Sequence, residues 1–200
     1  MLDKAWFWQV WFSGRDSVSF KAFFPKPNPV PKEPSVMSEK SDIRVLLIDD
    51  EETLVEYLSK RLLREGYEVK ATFSGEEATE AASNNDFDVA VVDLKMPGMD
   101  GVETQKRLKK IQPFLQCIVL TGHGTIDTAL ESGKEEAFKY LLKPIEYDNL
   151  VETISEAYER KVQLQNARFK DEVEEIYSSG LGARGIKKAM NKLRKIYGIS

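Results

Sequence analysis

A second cysteine is missing from this 200-residue chain, so Cys117 has no partner for an intramolecular disulfide, and no CxxC pair or Cys/His cluster is there to hold zinc. Disulfide and zinc-finger frameworks are thereby excluded, and a reducing, cytoplasmic setting is expected. Long apolar runs are lacking too. The aromatic run at residues 5 to 12 (AWFWQVWF) is broken by Gln9 and stopped by Ser13, Gly14 and Arg15, whereas a bilayer span needs about 20 apolar residues. It carries neither the small-residue cleavage pattern of a secretory signal nor a basic face to hold it on a membrane. Charge of one sign does not dominate. The 29 Lys and Arg against 33 Asp and Glu leave a net charge of -4, so bulk electrostatics select neither nucleic acid nor membrane, and any such role must be local. No Walker motif is present to bind a nucleotide phosphate.

What is there is globular in composition, 42% hydrophobic and 31% charged, which for this length implies one domain with appendages. Residues 1 to 36 stand apart. They hold all three tryptophans, and residues 25 to 34 hold five of the eight prolines, a composition expected to be extended and poorly packed. Met37 opens MSEKSDIRVLLIDD, a sequence suited to begin a domain, so residues 1 to 36 read either as an extension or as an over-long gene start.

From Asp42 onward short apolar runs alternate with helical periods. IRVLLID (43 to 49), YEVKATF (67 to 73), DVAVVD (88 to 93), CIVLT (117 to 121) and FKYLL (138 to 142) read as strands. Within the fourth, Cys117 reads as a small buried hydrophobe. Between the strands, Leu54, Val55, Leu58 and Leu62 share a helical face that stops at Gly66, followed by faces with Ala78, Ala81 and Ala82, then Leu108 and Ile111, then Leu150 and Ile154. Five strands with helical crossovers predict an α/β fold, a five-stranded parallel doubly wound sheet covered on both faces. In such sheets the ligand sits beyond the carboxyl ends of the strands.

Those ends carry the chemistry. Three runs finish in Asp49-Asp50, Asp93 and Thr121, and the fifth is followed by Lys143-Pro144. Three converging carboxylates repel and raise one another's pKa unless a cation lies between them. Mg²⁺ prefers such oxygen ligands. A carboxylate beside it is a nucleophile for a phosphoryl group, and a hydroxyl (Thr121) with an ammonium (Lys143) would steady the phosphoryl oxygens.

LLIDDEE (46 to 52), VVDLKMPGMDG (91 to 101), VLTGHG (119 to 124) and YLLKP (140 to 144), in this order and spacing, resemble the receiver domain of two-component response regulators, with its flavodoxin-like sheet. The resemblance covers about 120 of the 200 residues. It implies that Asp93 is phosphorylated by a sensor histidine kinase or phosphotransfer protein, that Asp50 binds Mg²⁺ directly, and that Asp49 acts largely through water. It further implies that the carbonyl of Lys95 adds a metal oxygen and that the Lys143-Pro144 bond is cis. Thr121 and Tyr140 match the switch pair, whose movement reshapes the face made by the helix after the fourth strand, the fifth strand and the following helix. Lys95 and His123 match positions that tune phosphoryl hydrolysis. Glu136 stands where the family often has Gly, so the end of the helix before the fifth strand is expected to shift toward Gly133.

Enzymes of another class share the strand-end Asp nucleophile. Hydrolases resembling the haloacid dehalogenases carry a second Asp two residues on, where this chain has Lys95, so a turnover enzyme is not expected. A scaffold that never takes phosphate is the other alternative, against which every chemical position is filled.

Residues 146 to 177 lack Gly and Pro and predict one long helix. It continues the receiver (42 to 160) through 161 to 177. There Val162, Asn166, Phe169, Val173 and Ile176 follow a coiled-coil spacing that makes a homodimer one option and packing back on the domain the other. After SSGLGARG, residues 178 to 200 hold six basic and no acidic residues around the apolar stripe Ile186, Ala189, Met190, Leu193, Ile196 and Tyr197. One helical pattern is too little for a helix-turn-helix. The chain therefore reads as a receiver acting through a downstream protein target, with DNA control through the basic tail as the alternative.

Overall fold

The computed structural model describes residues 43–122 and 137–197. Residues 1 to 36, His123, Gly133 and Glu136 lie outside them. In chain order the elements are β1 (Arg44–Ile48), α1 (Glu52–Arg64), β2 (Glu68–Thr72), α2 (Gly75–Asn84), β3 (Val89–Asp93), α3 (Gly101–Ile111), β4 (Gln116–Thr121), β5 (Lys139–Leu142), α4 (Tyr147–Ser178) and α5 (Ala183–Ile196). The strands form one parallel sheet in the order β2-β1-β3-β4-β5. The order in which strands are added switches sides between β1 and β3, the place where such sheets open a crevice at the carboxyl ends.

Period-two alternation sorts the strand side chains onto two faces. Val45, Leu47, Val89, Val91, Ile118 and Leu120 join Val55, Leu58 and Leu62 of α1 and Leu150, Ile154 and Ala157 of α4 in one core. Leu46, Ile48, Ala90, Val92 and Cys117 join Ala78 and Ala82 of α2 and Leu108 of α3 in the other. With both faces covered, the central strands are apolar without interruption, as parallel sheets require. Ile111 departs from its expected place: it is the last residue of α3 and is 40% exposed, while the next residue, Gln112, accepts from Phe87 N and donates to the Ala82 and Asn85 carbonyls.

The helix boundaries have local causes. The Ser74 hydroxyl accepts from Glu77 N at the start of α2, while the Glu77 carboxylate accepts from Phe73 N, a reciprocal cap. Asp100 Oδ1 accepts from Glu103 N at 2.8 Å to begin α3. Gly66, with φ 97°, supplies the left-handed residue after α1. Among the described residues no helix is long and apolar enough to cross a membrane.

The expected long helix is present as α4, 32 residues without a break. Lys161, the first residue of the stretch expected to continue the helix beyond the receiver, is buried against the domain. Its Nζ donates to the Phe87 carbonyl at 2.8 Å and to Asp88 Oδ1 at 2.7 Å. Beyond that anchor α5 folds back on α4. Phe169 meets Tyr197 edge to face with centroids 5.3 Å apart, and the Tyr197 hydroxyl lies 3.2 Å from Glu172 Oε1. Part of the expected coiled-coil seam is thus used within the chain.

Candidate acidic phosphoacceptor site

β1 delivers Asp49 and Asp50 one and two residues past its end, and β3 ends on Asp93. The pairing of β1 with β3 through Ile48 and Val92 makes these neighbours. One carboxylate oxygen from each of Asp49, Asp50 and Asp93 lies within 4.8 Å of the other two. Asp49 and Asp93 are buried while Asp50 is exposed, so the cluster has a closed floor and an open side.

Lys143, placed after β5 by the register of Thr121 with Leu142 and followed by a cis bond to Pro144, reaches into this cluster. Its Nζ lies 2.7 Å from Asp49 Oδ2, 3.0 Å from Asp93 Oδ1 and 3.1 Å from Glu51 Oε1. The contact to Glu51 has hydrogen-bond direction. That to Asp49 Oδ2 is an ion pair off the hydrogen-bond axis, which leaves this buried oxygen with unused acceptor capacity. Asp49 Oδ1 accepts from Glu51 N, and Asp93 Oδ2 accepts from Lys95 N, both at 2.9 Å. These bonds orient the two carboxylates.

Burial pushes the Asp49 carboxyl up from its ordinary pKa, and the nearby Asp93 adds to this; Lys143 and the Glu51 N–H oppose it. Burial by itself would lower the Lys143 ammonium, but its contacts with Asp49, Asp93 and Glu51 outweigh that, and its pKa is raised. Lys143 is therefore firmly charged. One ammonium among four carboxylates leaves the site electronegative, and the under-used Asp49 oxygen beside the exposed Asp50 matches what a hard divalent cation needs. The donor set fits Mg²⁺.

Thr121 and Tyr140 lie on the neighbouring strands β4 and β5. Thr121 ends β4, is buried, and has its hydroxyl 3.3 Å from the Gly122 carbonyl. Tyr140 lies on β5 opposite Val119, half-buried, and burial raises its hydroxyl pKa. Glu51 had no assigned role in the sequence, although it follows the Asp pair directly; its contact with Lys143 crosses 92 positions. Gly101 was likewise unassigned beyond its motif. A Cβ there would collide with the Asp93 carbonyl and come within 2.8 Å of Leu94 Cα, so α3 packs tightly on the backbone that carries Asp93.

The sequence pattern of the response regulator receiver domain matches residues 45–155, which takes in every element from β1 into α4. The chain belongs to this family. The receiver is similar to a response regulator receiver domain protein from Clostridium thermocellum, with 37% identity, a TM-score of 0.58, and coverage of 61% of this chain and 98% of that one. It is similar also to the response regulator TrrA of Thermotoga maritima, solved in complex with Mg²⁺ and BeF, with 28% identity, a TM-score of 0.51, and coverage of 57% and 98%. Among curated proteins it resembles the transcriptional regulatory protein GlrR of Escherichia coli K12, 33% identical over 129 residues. That match takes in 64% of this chain and 29% of GlrR, so the chain spans less than a third of that relative's length.

Proposed function

We propose that this receiver accepts a phosphoryl group on Asp93 from a sensor histidine kinase or phosphotransfer protein in the cytoplasm and signals by a change of conformation. The observation that carries the reading is the pairing of Asp93 Oδ1 with Lys143 Nζ at 3.0 Å beside the Asp49 and Asp50 carboxylates. An Asp93 oxygen attacks the phosphorus, the bond from phosphorus to the donor nitrogen breaks, and the imidazole leaves. Lys143 stays in place to meet the new phosphoryl charge, so little has to reorganise.

Mg²⁺ would be held by Asp50 and Asp93, by Asp49 largely through water, and by the Lys95 carbonyl; bound there it supplies charge neutralisation for the phosphoryl oxygens. Thr121 then moves toward the phosphoryl group, Tyr140 follows, and the face made by the helix after β4, β5 and the start of α4 presents a new surface to a downstream protein target. Lys95 tunes the lifetime of the phosphorylated state. Loss of the group is self-catalysed, so the chain works as a switch rather than by turnover on a substrate.

The test is intact mass after incubation with acetyl phosphate, with and without Mg²⁺, beside Asp93→Asn. The expected result is a Mg²⁺-dependent gain of one phosphoryl group that the variant lacks. No gain, under conditions where another receiver reacts, would overturn the reading in favour of a scaffold.

A further inference from the structure

The helix α5 is divided into two faces. At about 100° per residue, Arg184, Lys187, Lys188, Lys192, Arg194 and Lys195 fall within an arc of about 160°, and the one other residue in that arc is Asn191. All six cations are exposed, and among the described residues none of them makes an ion pair or a side-chain hydrogen bond. Most of the opposite face is turned inward. Leu193 is 4% exposed, Tyr197 meets Phe169 edge to face, and Ile186, Ala189 and Met190 are half-buried, while Ile196 at the end of the stripe is 67% exposed.

We propose that this outward face of α5 is a docking surface for the phosphate backbone of a nucleic acid. Six like charges on 14 residues, a length of about 21 Å, repel one another and gain when they replace the counterions of a polyanion. The chemistry of the arc narrows the partner. Protein interfaces need a desolvated apolar or aromatic anchor at their centre, and this arc has none. Lying on a bilayer needs an apolar face to insert, and that of α5 is largely spent against α4. Phosphate backbones are bound by Lys and Arg with no apolar contribution.

Position supports the same partner. α5 packs on the part of α4 beyond Lys161, which continues for 17 residues to Ser178, about 25 Å of helix. The basic arc faces away from that packing and is exposed along its length. Among the described residues no helix-turn-helix is formed, which bears on the reading of bases. It does not bear on backbone contact, which positions without specifying sequence.

The experiment is fluorescence anisotropy of a labelled DNA duplex titrated with the full chain at several salt concentrations, beside the triple variant Lys187→Gln, Lys188→Gln, Lys192→Gln. If all six cations engage phosphates, log K falls against log salt with a slope of roughly -5, and the variant's slope is shallower by about 3. Unchanged phosphorylation and helix content in the variant would locate the loss at the surface. Absence of binding at low salt, or a variant that keeps the wild-type slope, would overturn the proposal. So would equal binding of polyglutamate or of anionic vesicles. A salt-sensitive dimer that the variant loses would also overturn it, assigning the face instead to Asp171, Glu174 and Glu175 of a second copy.

Discussion

The ammonium of Lys161 lies 2.7 Å from Asp88 Oδ1, 73 residues earlier in the chain, at the start of the strand that ends in Asp93. Arg44 closes the other side, donating from its backbone N and Nε to Asp88 Oδ2 and from Nη2 to Oδ1. The carboxylate is thus held between β1 and α4, and the pair fixes where α4 leaves the domain.

Replacing Lys161 by Met is expected to cost about 2 kcal/mol, less than the 3–5 for a buried charge wholly abandoned, because Arg44 still holds Asp88. Burial alone would raise the Asp88 pKa, but the bonds from Arg44 and Lys161 outweigh it and hold it below the usual value. The unfolded chain then binds more protons in the window between that depressed value and about pH 3.9. The stabilisation is complete above this window and is lost as pH falls through it. Urea melts from neutral pH downward check both points: the variant should show a lower midpoint and a smaller acid-dependent loss. Hydrogen exchange should accelerate past residue 161.

Asp49 carries the opposite sign. Its pKa is raised, chiefly by burial, so its native state holds the proton more tightly, and its contribution to stability falls as pH rises through the interval from the ordinary to the raised value. At neutral pH the charge is a net burden. Asp49→Asn, which retains an oxygen to accept from Glu51 N, is expected to stabilise the metal-free protein. Added Mg²⁺ should raise the wild-type melting temperature by mass action and leave that of the variant nearly unmoved. A destabilised variant without Mg²⁺ would mean that the ion pair with Lys143 outweighs the burial.

Gly101→Ala tests the packing beneath Asp93. The added methyl meets backbone, which has no rotamer to change, so α3 must retreat from Leu94. A loss of about 1–3 kcal/mol is expected, with slower labelling by acetyl phosphate because Asp93 and the Lys95 N–H that orients it move together. Labelling at the wild-type rate in a destabilised variant would separate the two effects.

Much of this receiver was legible in its sequence because the signals are local. Short apolar runs placed all five strands to within one residue, and the motif residues at their ends named the acidic cluster. Other relationships had no local signature. Asp88 read as the polar start of a strand and Lys161 as one more charge on a helix; only the fold brings them together with Arg44. The seam from Val162 to Ile176 satisfied a coiled-coil spacing, yet spacing says which face of a helix is apolar and not what covers it, and here Tyr197 of α5 packs on Phe169. Periodicities and strand-end chemistry are carried by neighbouring residues, so they can be read along the chain. Which distant charges meet, how tightly α3 presses on Asp93, and which face of α5 remains for water depend on through-space distance, and these come only with the fold.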